Sequence, residues 1–256
     1  DVIAWQNELL AYRDEKHKPY SPTYLKTLHN QLSAIFNHAV RFYDLRSNPA
    51  AKAGNMGSEE SKEMLFWTKE EYQKFAEVMM DKPISYYAFQ MLYWTGVREG
   101  ELLALTPADF DFEKRTVSIN KSYQRLNKQD VITTPKTPKS NRVIQMPQFL
   151  CDELQDYLKQ LYGVEPDSRM FPISKSYLHR EMDRGCKQTG VKRIRIHDLR
   201  HSHISLLIDM GFTALAIAER VGHESIDITY RYAHLFPTRQ VEMADKLDSL
   251  KNEKGV

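Results

Sequence analysis

His197-Asp198-Leu199-Arg200-His201-Ser202 begins a stretch that continues through Gly222-His223 to Tyr230-Arg231-Tyr232-Ala233-His234. Asp198 to Met210 reads as a helix, with His197 and Arg200 in its first turn. Residues three apart on a helix share a face, so this His and Arg can converge on one anion. The backbone N–H groups of a helix N-terminus favour the same charge. Helices are also predicted over Ala214–Val221 and Ile226–Tyr230, and these carry the chain from His223 to Tyr232, nine residues on. A tyrosine can act as a nucleophile and form a covalent intermediate, provided positive charge and a proton acceptor lie nearby. Each motif alone has a plainer explanation: two surface cations, or an aromatic side chain packed in a core.

Two further stretches carry chemistry. In Thr95-Gly96-Val97-Arg98-Glu99-Gly100-Glu101-Leu102 an arginine follows a glycine turn, where its fork of donors can face a phosphate. Glu101, three residues on, is placed to orient it. Lys136 sits between Pro135 and Pro138 in a predicted turn, where a lysine can reach a site and protonate a leaving alkoxide. Lys139 is a rival for that role, and a solubilising surface lysine is the plainer alternative.

Outside these motifs the chain reads as mainly α-helical with a small antiparallel β-sheet. Helices are expected over Val2–Tyr12, from Ser21-Pro22 to about Asn48-Pro49, from Thr68, over Ile84–Tyr93, Phe149–Tyr162 and Lys175–Gln188, and over Arg239–Leu250. Ser21 is an N-cap with proline at the first helical position, and Thr68-Lys69-Glu70-Glu71 is a capping box. In the second helix Leu25, Leu28, Leu32, Ile35, Phe36 and Ala39 form an apolar face opposite Thr23, Lys26, Thr27, Asn30 and Arg41. Thr116–Ile119, Val131–Thr134 and Arg142–Gln145 read as strands of the sheet. Gly54 and Gly57 lie in a small, polar stretch that reads as a linker. The expected division is a helical module over residues 1–53, a linker over 54–65 and a larger domain over 66–256. Two helices make a thin core, so further helices are expected upstream of Asp1.

Composition narrows the functional classes. Among 256 residues, 36 Lys and Arg face 34 Asp and Glu, a net charge of +2, so bulk charge does not announce a nucleic acid. Its distribution is more telling. Lys121, Arg125, Lys128, Lys136, Lys139 and Arg142 are opposed by Asp130 alone, and Arg184 to Arg200 holds six cations against Asp198. Two such runs suggest a one-sided basic surface. Cys151 and Cys186 are the only cysteines, which speaks against a disulfide framework and for a reducing, cytoplasmic setting. No leader pattern, membrane-spanning run or zinc spacing is evident.

The order and spacing of the T-G-x-R-x-x-E-L box, the turn lysine, H-x-x-R, G-H and the downstream tyrosine resemble the tyrosine recombinase, or phage-type integrase, family. The resemblance runs from about Leu65 to His234. The runs Phe66–Glu71 (F-W-T-x-E-E) and Pro135–Ser140 (P-K-T-P-K-S) resemble integrases of conjugative transposons and related phages of Gram-positive bacteria. It implies that Arg98 and Arg200 clamp the scissile phosphate, His223 hydrogen-bonds it, His197 assists proton transfer with the nucleophile and Lys136 protonates the leaving 5′ oxygen. Tyr232 would attack, giving a 3′-phosphotyrosyl link, with neither metal nor other cofactor. Residues 1–53 would be a core-binding domain that presents Thr23, Lys26, Thr27, Asn30 and Arg41 to DNA, with Lys121, Lys139 and Arg195 as further contacts. The implied partners are duplex DNA with inverted core sites, further copies of the chain forming a dimer to tetramer on DNA, and an accessory bending or excision factor. No membrane partner is implied. A helix at about 239–251 would couple the protomers. Two alternatives use similar residues: a type IB topoisomerase, which would relax plasmid lacking any recombination site, and a silent DNA-binding relative, which would trap no covalent adduct.

Overall fold

The computed structural model describes residues 1–58, 64–134, 138–230 and 232. The chain divides into two compact units, Asp1–Glu63 and Met64–Val256.

The first unit holds α1 (Val2–Ala11), α2 (Pro22–Phe42) and α3 (Pro49–Ala53). Ser21 caps α2 by accepting from the Tyr24 amide, with Pro22 at the first turn, as the sequence predicts. The helix stops at Phe42 rather than near Asn48, because Asp44 turns the chain into the left-handed region at φ 55°. Asn48 instead caps α3: its side-chain oxygen accepts from Ala50 and Ala51, and its amide donates to Ser33 and Asn37 of α2. Ala50 is therefore a buried helical residue. Leu25 and His29 form the buried line of α2, and Gln6 of α1 reaches both His29 and the Gly54 carbonyl. Thr23, Thr27, Asn30 and Arg41 are exposed as expected and Lys26 is half-buried, but Ile35, expected inside, is exposed.

The second unit opens with α4 (Lys69–Met79), where both arms of the predicted capping box are present. Then come α5 (Pro83–Thr95), the short α6 (Glu99–Leu102), β1 (Phe110–Asp111), β2 (Thr116–Ile119), β3 (Ser122–Leu126), β4 (Gln129–Thr133) and β5 (Arg142–Gln145). Helices α7 (Gln148–Gln160), α8 (Lys175–Thr189), α9 (Asp198–Asp209), α10 (Ala214–Val221) and α11 (Ile226–Tyr230) follow. The strands are antiparallel, but they form two sheets: β1-β2-β5, and a separate hairpin in which β4 pairs with β3. Asn127 and Lys128 close that hairpin with positive φ at both positions, the two-residue turn whose twist suits paired strands. The expected coupling helix at about 239–251 and Lys136 lie outside the described residues.

The core fixes the elements that carry the site. Tyr72, Phe75, Ala76 and Met79 line one face of α4, which packs on α8. Gly185 permits that approach, since a Cβ there would overlap the Phe75 ring. Burying a residue such as Phe75 contributes about 1.5–3 kcal/mol. Trp67 ties the entry of the unit to the segments around α9: its amide donates to Ser202 and its indole N–H to the Lys192 carbonyl. Helix α5 packs along α9, bringing the Gly96 turn beside Arg200.

Candidate active site

The C-terminus of α10 organises the site. A helix end exposes carbonyls without intrahelical partners and carries about half a negative charge. Gly222 ends α10 in the left-handed conformation, at φ 68°. Three successive carbonyls there each accept from an arginine of a different element. Arg142 Nε donates to the Arg220 carbonyl at 3.0 Å, Arg200 Nη2 to that of Val221 at 2.5 Å, and Arg98 Nη2 to that of Gly222 at 3.1 Å.

Each guanidinium is held from a second side. Gly96, the left-handed cap of α5, offers its carbonyl to Arg200 Nη1 at 2.8 Å. Glu101, 5% exposed, bridges the other two: Oε1 accepts from Arg98 Nη1 at 2.8 Å, and its two oxygens accept from Arg142 at 3.1 and 2.8 Å. Glu101 also caps α6 through the Arg98 amide, 2.8 Å away. Burial alone would raise the Glu101 pKa, but hydrogen bonds and charge from Arg142 and Arg98 outweigh it and hold the carboxyl below its ordinary range. Arg142 is itself 6% exposed and directs four of its five N–H groups to Glu101, Ser140 and Arg220. It is a structural cation. Among the described residues, Arg98 and Arg200 keep unspent N–H groups, since each guanidinium carries five. Burial, and then the Arg98 charge, push the Arg200 pKa down, although a guanidinium stays charged at neutral pH.

Three histidines complete the cluster. His223 follows the α10 cap, is buried, and pairs through Nδ1 with Thr229 Oγ1 at 2.8 Å. Burial, then Arg200 and Arg98, lower its pKa to about 3, so it is neutral at physiological pH. His197 stands exposed at the start of α9, with its pKa lowered first by desolvation and then by Arg200. His201, one turn further along α9, presents its ring at right angles to that of His197, with centroids 5.0 Å apart.

Tyr232 is 3% exposed and packs on Ile204, Ile208, Ile217 and Val221 of α9 and α10. Its phenol hydrogen-bonds to His201 Nδ1. Tyr230, by contrast, is 54% exposed. Arg98, Arg200 and His223 therefore meet at one helix end, and His197 and Tyr232 join them through α9.

The expected peripheral contacts divide. Lys121 is drawn into the fold: Nζ lies 2.9 Å from buried Asp109 and 3.0 Å from Thr106 Oγ1. Arg195 is exposed, but its guanidinium is pinned to buried Asp198 at 2.7 Å. Lys139 is exposed and reaches the Glu224 carbonyl at 2.9 Å. Three structural partners went unrecognised in the sequence: Arg142 inside a basic run, Asp198 inside the H-x-x-R motif, and His201 directly after it. Among the described residues no group of three or more His, Cys, Asp or Glu is placed to hold a metal ion. Cys151 and Cys186 are buried free thiols.

This cluster, on a mainly helical unit with small antiparallel sheets, defines a tyrosine recombinase catalytic fold. The chain belongs to the phage integrase family, whose pattern it matches over residues 66–239. It is 36% identical over 234 residues to the ICEBs1 integrase of Bacillus subtilis strain 168, covering 86% of this chain and 63% of that protein. It is 26% identical over 258 residues to a XerC-like tyrosine recombinase of Caldanaerobacter subterraneus, covering 88% and 66% respectively. The Tn1549 transposon integrase, solved in complex with a circular intermediate DNA, has the same fold, with a TM-score of 0.76 at 21% identity over 98% of this chain and 84% of that one.

Proposed function

We infer that the chain is the core-binding and catalytic portion of a site-specific DNA recombinase that excises and integrates a mobile element. Tyr232 attacks a DNA phosphodiester to form a 3′-phosphotyrosyl link and release a 5′ hydroxyl. Attack of a 5′ hydroxyl on that link rejoins DNA without a nucleotide cofactor. The observation that carries this is the docking of Arg98 and Arg200, beside His223, on the α10 C-terminus, with Tyr232 joined to the same helices. Arg98 and Arg200 then clamp the non-bridging oxygens, and His223 hydrogen-bonds the phosphate. His197, at the start of α9, assists proton transfer with the nucleophile, and Lys136 protonates the leaving oxygen. Preorganised donors of this kind act where charge builds in the transition state.

Residues 1–53 serve as the core-binding domain, with Thr23, Thr27, Asn30 and Arg41 toward the duplex and Lys26 beside them. Lys139 and Arg195 add phosphate contacts. Duplex DNA with inverted core sites is the substrate. Two duplexes cut at two positions each require four tyrosines, so the chain assembles from dimer to tetramer on DNA, with residues 239–251 as the coupling helix. An accessory bending factor and a cytoplasmic setting fit this function. No described helix is long and apolar enough to cross a membrane.

A nicked duplex that loses its 5′ hydroxyl fragment on cleavage traps the covalent adduct, and proteolysis with mass spectrometry maps the attached residue. Adduct at Tyr232 is expected. DNA binding with no adduct at any tyrosine would reduce the chain to a binding protein.

A further inference from the structure

We propose that His201 is a further catalytic residue, the base that receives the phenolic proton of Tyr232 as the tyrosine attacks. The proposal rests on Tyr232 being the nucleophile. The geometry points to it directly, because His201 Nδ1 is hydrogen-bonded to the Tyr232 hydroxyl, the reacting atom. The other ring nitrogen, Nε2, lies 3.6 Å from Asp198 Oδ1. Asp198 is buried at the first turn of α9 and held by the Arg195 amide and guanidinium. A carboxylate on the Nε2 side favours the tautomer with its proton on Nε2, which leaves the Nδ1 lone pair facing the phenol. Tyrosine, imidazole and carboxylate thus stand in line, a nucleophile, a base and the group that orients the base.

The groups facing His201 include Asp198 and Arg200 of its own helix, Arg195 and His197 just before it, His223 and Tyr232. Burial, and then His197, lower its pKa to about 4, so the ring is a free base at neutral pH and able to accept. In the step, the Tyr232 O–H bond breaks and its proton passes to Nδ1. The phenolic oxygen bonds to phosphorus, and the bond from phosphorus to the 5′ oxygen breaks. That oxygen takes a proton from a separate acid, for which Lys136 is the candidate. The imidazolium formed is balanced by Asp198 and by the negative charge growing on the phosphate. On rejoining, His201 returns the proton to the departing phenolic oxygen.

The test uses the whole chain and nicked duplexes with a randomised core. The sequence trapped by the unaltered chain is made with either an ordinary 5′ oxygen or a bridging 5′ sulfur. Sulfur leaves without protonation, so it relieves the loss of an acid but not the loss of a base. His201→Asn is expected to slow adduct formation by about 10²-fold or more, equally on both duplexes, while Lys136→Ala recovers on the sulfur duplex. Adduct formation by His201→Asn at the unaltered rate, or its recovery on the sulfur duplex, would overturn the proposal. Ring-nitrogen NMR on the unaltered chain and on Tyr232→Phe tests the contact without touching His201. The His201 signals should move on loss of the hydroxyl, and unmoved signals count against it. Adduct that survives Tyr232→Phe would refute the choice of nucleophile, and the proposal with it.

Discussion

Replacing Glu101 by glutamine removes one negative charge and leaves the volume unchanged. In the intact site that carboxylate is 5% exposed and accepts from Arg142, 6% exposed, and from Arg98. Glutamine can accept with one oxygen, but its amide must then face a second guanidinium donor. Removing one partner of a buried ion pair costs about 3–5 kcal/mol. Arg98 is partly solvated, so the lower end applies. At about 2–4 °C per kcal/mol for a domain of this size, melting should fall by about 6–12 °C. The pH dependence has a definite sign. The folded-state pKa of Glu101 is depressed, so its stabilisation is fully present above the unfolded carboxylate value and is lost as pH falls through the lower folded value. The melting gap between Glu101→Gln and the unaltered chain should therefore hold near neutrality and narrow only on the acid side of about pH 4.3. Cleavage should slow as well, by no more than the ~10²–10³-fold that follows outright loss of one donor, since Arg98 is loosened rather than removed. Calorimetry across pH measures the first effect and adduct formation on a nicked duplex the second. A variant that melts within about 1 °C of the unaltered chain would refute the idea that Glu101 holds the arginines in place.

Other substitutions separate the parts of the site. Tyr232→Phe should bind DNA and form no adduct while Tyr230→Phe forms it normally, as gel shift and trapping would show; the reverse pattern would move the nucleophile. Arg98→Lys keeps the charge but loses the fork, so DNA affinity should stay near normal while cleavage slows about 10²-fold or more; cleavage at the unaltered rate would remove Arg98 from the site. Arg41→Ala should lower the slope of log affinity against log salt by roughly 0.9 if its guanidinium meets a phosphate, and an unchanged slope would leave that face of α2 to solvent.

Sequence pattern carried some parts of this molecule and not others, for physical reasons. Ser21-Pro22 and Thr68–Glu71 were legible because a cap is a local device, complete within four residues. The end of α2 was not, because apolar spacing continues through Val40 and Tyr43 although the backbone turns at Asp44. Strand β3 escaped notice because its closing turn uses Asn127-Lys128 and lacks the glycine that usually marks positive φ. In the site, Arg98, Arg200, His223 and Tyr232 were expected together only because the order of their motifs resembles a known family; each motif alone had a plainer explanation. Arg142 was not among them, because a buried arginine looks like any other cation until the carboxylate beneath it is seen, and Glu101 lies 41 residues away. His201 left a fainter trace: it stands one helical turn from His197, and residues so spaced share a face.

The charge balance at the α10 C-terminus connects fold to reaction. Arg98, Arg142 and Arg200 bring three positive charges to one helix end. Glu101 offsets one, and the helix terminus about half of another. Net positive charge is left over, held in a largely buried setting where screening by salt is weak. A phosphodiester brings one negative charge and gains more as it becomes pentacoordinate, so positive charge held there acts more strongly on the transition state than on the bound substrate. Interactions that strengthen on the way to the transition state are the ones that raise rate. In the proposed reaction, then, the carbonyls and Glu101 have a double task. They let three arginines cluster before DNA arrives, and they leave enough of the charge uncancelled to act on the phosphate when it does.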